Sequence, residues 1–411
     1  MKEYQKNSIE RKRIFFRALL IRLLILLLIF AFNDSFEEGF VESSTYYDDY
    51  RYEQGAFEYA EKASSIIDVN AFTAAYATVG DWVGYHFIEN PLDSSPLWYW
   101  IVCIVAYIFR TRWIIRILNV ILASLAIVFV GEFASMLCSK KATNMAISLL
   151  TFLPYPVIFS CFAYKDQLVM LCTFYLLYAA MQYRLYGVIN IIRIIIFVFA
   201  AITLLFTRGG LTAVVLALCA CIAFIKSFRL KIQKRQIILL ILVVVGLVAV
   251  ISRSFDTILF KMQYYFTRHK ETLGGTTIRF ITINGLGDIY KLPFTYIFSI
   301  IMPVQLFGNI KSWYSIVANC SVIMTPIAVG ATLYAVKRNK IDKVIYWGCM
   351  ALYLASIVTS INIFRHYYSL MPLSLIFFSD YWDKSDATWK GLVIILALLF
   401  SMLLIIFYGL A

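Results

Sequence analysis

The sequence predicts an all-α, polytopic membrane protein, and three observations carry that reading. The 411 residues are 62% hydrophobic and only 15% charged, with a mean hydropathy of +0.79; a soluble domain carries about 25% charged residues. Apolar runs of bilayer-spanning length recur along the chain. Lys and Arg cluster between those runs, as the positive-inside rule requires. The net charge of +13 is therefore a topology signal and not a nucleic-acid signal. The eight cysteines all lie in apolar stretches, which argues against a disulfide framework or a thiolate metal site.

Taken in order, the first run, 14–32, follows Arg11, Lys12 and Arg13. It lacks a small-residue cleavage site and reads as a retained anchor with a cytoplasmic N-terminus. Run 97–109 is short for a span and reads as interfacial. Run 114–138 then returns inward to Lys140 and Lys141, 142–163 goes out to Lys165 and Asp166, and 167–183 goes in to Arg184. Run 191–206 leads out to a turn at Arg208–Gly210, and 211–225 leads in to the basic loop from Lys226 to Arg235. Runs 237–251, 316–336, 344–363, 366–378 and 391–409 complete about 11 spans, or about 13 if both short runs (97–109 and 294–307) cross. The chain reads as one membrane domain, 1–411, with outside loops at 33–113 and 252–315 that contain interfacial helices.

The first outside loop is unusual in charge. Segment 33–96 holds 13 of the 24 Asp and Glu residues, opposed only by Arg51 and Lys62. Within it, Tyr46-Tyr47-Asp48-Asp49-Tyr50-Arg51-Tyr52-Glu53 places carboxylates beside tyrosines. Asp48 or Asp49 at the mouth of a membrane cavity can take a proton from an acceptor hydroxyl or hold a divalent ion, and tyrosines can stack on sugar faces. The plainer alternative is an acidic helix N-terminus complementing the helix dipole. A second motif, Pro154-Tyr155-Pro156 followed by Ser160 and Tyr164-Lys165-Asp166, ends a span on the same face. Its plainer alternative is a span end with a snorkelling Lys165.

The second outside loop, 252–291, is basic. Arg253, Lys261, Arg268, Lys270, Arg279 and Lys291 face only Asp256, Glu271 and Asp288. Phosphate of a lipid carrier is one partner for such a loop, since arginine grips phosphate oxygens bidentately; anionic lipid head groups are the other. Arg208 and Arg365, at outer span ends, are phosphate ligands or interfacial anchors. Of the charges inside spans, Arg22 and Arg193 are expected to snorkel, and Glu132 to meet Lys140 or Lys141. The scarcity of deep carboxylates argues against proton-coupled transport. His86, His269 and His366 are far apart and form no zinc motif.

Several of these pieces, in order, resemble the GT-C superfamily of membrane glycosyltransferases. They are the acidic site after span one, the run Pro96-Leu97-Trp98-Tyr99, the helix start with Arg112 and Arg116-Ile117-Leu118-Asn119, the Pro-containing helix ending in Lys165-Asp166, and Arg365-His366-Tyr367-Tyr368 with Pro372. The late Arg365 motif with Pro372 is similar to the start of a late span in bacterial members, which include the protein-mannosyltransferase-like and aminoarabinose-transferase-like families. The resemblance implies an inverting transfer of a sugar from a polyprenyl-phosphate carrier to a glycan, lipid or protein acceptor, at the outer face of a plasma membrane. It implies a base at Asp48 or Asp49, a second carboxylate at Asp166, and a divalent metal, Mg or Mn, on Asp49 and Asp166 if one is used. Lys165, Arg208, Arg268, Arg279, Arg365 and His366 are the expected substrate and phosphate ligands. The chain departs from the family in lacking an isolated Asp-Glu pair, and 252–291 matches no part of the pattern. Two other readings stand beside it: a surface-polysaccharide polymerase acting on polyprenyl-diphosphate oligosaccharides, and a lipid-linked sugar flippase.

Overall fold

The structure is a computed structural model and describes residues 2–32, 48–83, 96–111, 113–187, 190–224, 316–317, 320, 323–335, 343–360 and 368–410. Every regular element among the described residues is helical. Among the described residues, four helices are long and apolar enough to cross a membrane: Glu10–Ala31, Trp113–Ser135, Asp166–Tyr186 and Ile191–Gly209. Shorter apolar helices are Pro96–Phe109, Leu211–Phe224, Met324–Leu333 and Ala387–Leu399. The chain is thus a helical protein of membrane type. It divides into two compact units, one built from Met1–Ala179, Val188–Thr212 and Phe307–Cys320, the other from Ala180–Gly187, Ala213–Leu306 and Ser321–Ala411.

In the first unit, α1 (Lys2–Ala31) packs against α5 (Trp113–Ser135). The pair is antiparallel. Arg11, near the start of α1, bonds Glu132 near the end of α5, while Phe30 and Trp113 bring their rings to 3.9 Å at the opposite end. Residues 32 and 113 therefore lie at the same end of the pair. Between them the described helices are α2 (Asp48–Lys62), α3 (Val69–Val83) and α4 (Pro96–Phe109), with α2 packed on both α3 and α4. Aromatic rings fill that packing: Phe72 stacks on Trp100 at 3.9 Å and 8°, and Tyr99 meets Tyr52, Phe72 and Tyr76.

The run 142–163 is not one helix. α6 (Lys140–Phe152) starts at Ser139, whose hydroxyl accepts the Ala142 N–H at 3.1 Å. It stops at Leu153, which is extended (φ −60°, ψ 131°), as the residue before a proline prefers. α7 (Pro154–Phe159) follows, then a non-helical stretch, then α8 (Asp166–Tyr186). Pro154 has no N–H to give the Leu150 carbonyl four residues back. Arg22 of α1 supplies it instead: its Nη2 donates to Leu150 O at 2.8 Å. Arg22 is fully buried and does not snorkel, because that carbonyl holds it inside. Glu132 pairs with Arg11 and not with Lys140 or Lys141, because the antiparallel packing brings Arg11 to it.

α9 (Ile191–Phe224) joins two helical segments across a break at Arg208, where φ is −157° and ψ is 71°. The break falls at Arg208, the first residue of the turn expected at Arg208–Gly210, and Gly209 and Gly210 are helical.

In the second unit, Arg184 at the end of α8 donates to Ile222 O at 3.1 Å. Its other described elements are α10 (Met324–Leu333), α11 (Lys343–Ser360), a 3-10 turn at Tyr368–Leu370, α12 (Met371–Lys384) and α13 (Ala387–Leu410). α12 is buried from Met371 to Tyr381 and packs on α10 and α11. Gly330 makes room for it: a Cβ there would lie 2.5 Å from the Phe378 ring. Asp380, fully buried, accepts the Tyr334 hydroxyl at 2.6 Å and is paired with Lys384 one turn on.

Candidate functional site

The best-built polar site in the described residues is the stretch 160–165 and the helix start that follows it. A loop buried in an apolar setting must find partners for its backbone carbonyls. Here three side chains supply them, and a fourth holds the last carbonyl of α7. Trp98 Nε1 of α4 donates to Ala163 O at 3.2 Å. Arg116 Nη1 of α5 donates to Cys161 O at 3.2 Å. Asn119, one turn further along α5, donates to Phe162 O and to Tyr164 O, the latter at 2.9 Å. Gln167 Nε2 of α8 donates to Phe159 O at 3.3 Å. Arg116 and Asn119 share one face of α5 because they are three residues apart. The rings of Phe159 and Phe162 stack with Tyr164 at 5.2 and 5.7 Å and pack the other side.

Arg116 is itself held. Its Nη2 donates to Glu53 of α2 at 2.9 Å, and its Nε lies 2.8 Å from the other carboxylate oxygen. Both side chains are almost completely buried. This buried, charge-assisted bond ties the acidic segment through Glu53 to the loop that Arg116 supports.

The loop delivers Asp166 to the first position of α8. There the helix dipole favours its negative charge. Asp166 is buried, and its Oδ1 lies 3.3 Å from Nη1 of Arg208, whose side chain stays partly open. The helical break at Arg208 sets this approach. In the clamp itself, Asn119 Oδ1 and Gln167 Oε1 are buried acceptors with no donor among the described residues. The Asp166–Arg208 pair offers a carboxylate and a cation of the kind that grips phosphate.

Of the residues singled out in the sequence, the structure brings Asp166 and Arg208 together and leaves Lys165 half-buried next to them. Asp48 and Asp49 are the first two residues of α2, and their side chains lie outside the described residues. Arg268, Arg279, Arg365 and His366 also lie outside the described residues. Among the described residues, no three of His, Cys, Asp and Glu converge as metal ligands would. Glu53 is the carboxylate that the sequence reading passed over. Its signal was Arg116 within an apolar span, a buried charge that needs a partner.

No protein-family model matches the chain, and no match to it was found among the curated proteins or the solved structures.

Proposed function

We propose that the chain is a membrane glycosyltransferase of GT-C type with about 11 spans. It transfers a sugar from a polyprenyl-phosphate carrier to a glycan, lipid or protein acceptor at the outer face of the plasma membrane, in the making of a cell-surface polysaccharide. The observation that supports it best is the Asp166–Arg208 pair at the head of α8, set on a loop clamped by Trp98, Arg116, Asn119 and Gln167.

The acceptor hydroxyl gives its proton to a carboxylate, its oxygen bonds the anomeric carbon, and the bond from that carbon to the phosphate oxygen breaks. The phosphate is a good leaving group, so the protein has mainly to orient, deprotonate and neutralise. Asp48 or Asp49 serves as base, and Asp166 orients the acceptor or a divalent ion. Arg208, joined by Arg279 and Arg365, takes the phosphate charge as it develops.

One observation favours the polymerase instead. Glu53 of the acidic segment is spent on Arg116, which makes that part of the first loop a support. Mass spectrometry of lipids that copurify with the protein separates the two readings. A polyprenyl monophosphate, bare or carrying one sugar, supports the transferase. A polyprenyl diphosphate carrying an oligosaccharide supports the polymerase. If neither lipid copurifies, and the purified protein transfers sugar from neither donor, both readings fail.

A further inference from the structure

We propose that the turn between α2 and α3, together with the end of α4, is a lipid-facing anchor set in the boundary between head groups and acyl chains. The turn exposes Ile66 (44%), Ile67 (65%) and Val69 (62%), and the end of α4 exposes Ile108 (53%) and Phe109 (56%). The turn and the end of α4 are joined through α2. Arg110 donates to Ala60 O of α2 and lies over the Tyr107 ring at 4.9 Å, and Tyr107 meets Tyr59. Isolated exposed apolar residues are ordinary, but a contiguous apolar group marks an interaction surface.

The turn is built to hold those side chains outward. The Tyr59 hydroxyl donates to Ile66 O at 3.0 Å and accepts the Asp68 N–H at 3.0 Å. The Asp68 carboxylate accepts the N–H of Ser64 and of Ala71, each at 3.0 Å, and the Ser64 hydroxyl at 2.9 Å. Asp68 thus spends its charge inside the turn. A loop in water gains nothing from fixing two isoleucines in an exposed position. A loop at a bilayer surface gains their burial in lipid.

The depth of the patch points to lipid as its occupant. Trp113 opens α5 and meets Phe30 at the end of α1, the level at which aromatic residues mark a membrane boundary. Arg110 is three residues before Trp113, a reach of at most about 10 Å. Lys62 and Arg110 flank the patch and are exposed, as cations beside lipid phosphates are. Glu61, also exposed, stands next to Lys62. The proposal does not depend on the reaction the protein performs.

The test is site-directed spin labelling of the full chain in lipid nanodiscs. A nitroxide is placed on Ile67→Cys and, separately, on Ile66→Cys; the signal of the unmutated chain treated with the same label is subtracted. Phe199→Cys, at an exposed position of a spanning helix, gives the lipid reference, and Lys140→Cys gives the aqueous one. Oxygen should relax both turn labels more than a water-soluble nickel chelate does, at a depth of about 5–10 Å below the phosphates. Relaxation by nickel to the Lys140→Cys level overturns the proposal. So does protection from both reagents, which would mean that protein covers the patch.

Discussion

Arg22 donates to the one carbonyl, that of Leu150, that Pro154 deprives of its helical donor. A proline-broken helix in a membrane must have its freed acceptor satisfied locally, by a neighbouring helix, a hydroxyl side chain or an ordered water. Here a neighbouring helix provides an arginine for it. The pairing makes a paired test. Arg22→Leu should lower stability toward denaturing detergent by about 1–3 kcal/mol, the cost of a buried polar group left unsatisfied. Restoring the N–H with Pro154→Ala should recover part of that loss in the Arg22→Leu background. In the parent chain the same change should recover nothing. The double-mutant cycle reads the coupling directly.

The Glu53–Arg116 pair should behave as a buried ion pair. Glu53→Gln alone leaves a buried guanidinium without its counter-charge and should cost about 3–5 kcal/mol. Glu53→Gln combined with Arg116→Met should be closer to the parent than either single change. Equal, additive losses in a thermal or detergent unfolding series would contradict the pairing.

At the head of α8, Asp166→Asn and Arg208→Gln should each lower the rate of sugar transfer by on the order of 100-fold while the protein still inserts in the membrane. Arg208→Lys should recover little, because lysine presents a point charge where arginine presents a fork. Initial rates with the donor found by lipid mass spectrometry check this. Parent-level rates in both Asp166→Asn and Arg208→Gln would remove the pair from the reaction.

The Asp68 carboxyl is held below the ordinary carboxylate range, first by the Ala71 N–H and then by the Ser64 N–H and hydroxyl. A lowered folded-state value means that the ionised form stabilises the turn at neutral pH. That contribution is complete above the ordinary carboxylate value, shrinks as pH falls below it, and is gone once pH has passed the lowered value. Hydrogen-exchange protection of residues 63–72 should therefore persist down to about pH 4 and collapse below it. In Asp68→Ala it should be weak at every pH. Loss of protection already near pH 6 would contradict the assignment.

The four long helices were legible because composition and length alone define them. The run 142–163 was not, although its prolines were in plain sight. A proline can kink a helix or end it, and here Leu153 takes the extended conformation that ends it. Asp166 and Arg208 stood out as single charges at span ends. That they meet depends on the helical break at Arg208, which has no signature beyond the two glycines after it. Arg22, Arg116 and Glu132 were visible as charges in apolar runs, but their partners lie 63 to 128 residues away in sequence. Only packing decides such pairs. The snorkelling rule suited Arg22 less than the rule that a buried carbonyl must be paired.

The clamp around residues 160–165 also bears on how the chain is made. Arg116 and Asn119 emerge from the ribosome more than forty residues before the carbonyls they bond at Cys161, Phe162 and Tyr164. Glu53 is already present and can neutralise Arg116 early. Asn119 has no such placeholder among its bonds, and Arg22 waits for Leu150, 128 positions further along the chain. The nascent protein therefore passes through a stage in which a half-finished bundle carries unsatisfied donors within the bilayer. A chain halted between residues 120 and 160 would be a ready substrate for membrane quality control, and one extended past Asp166 would not.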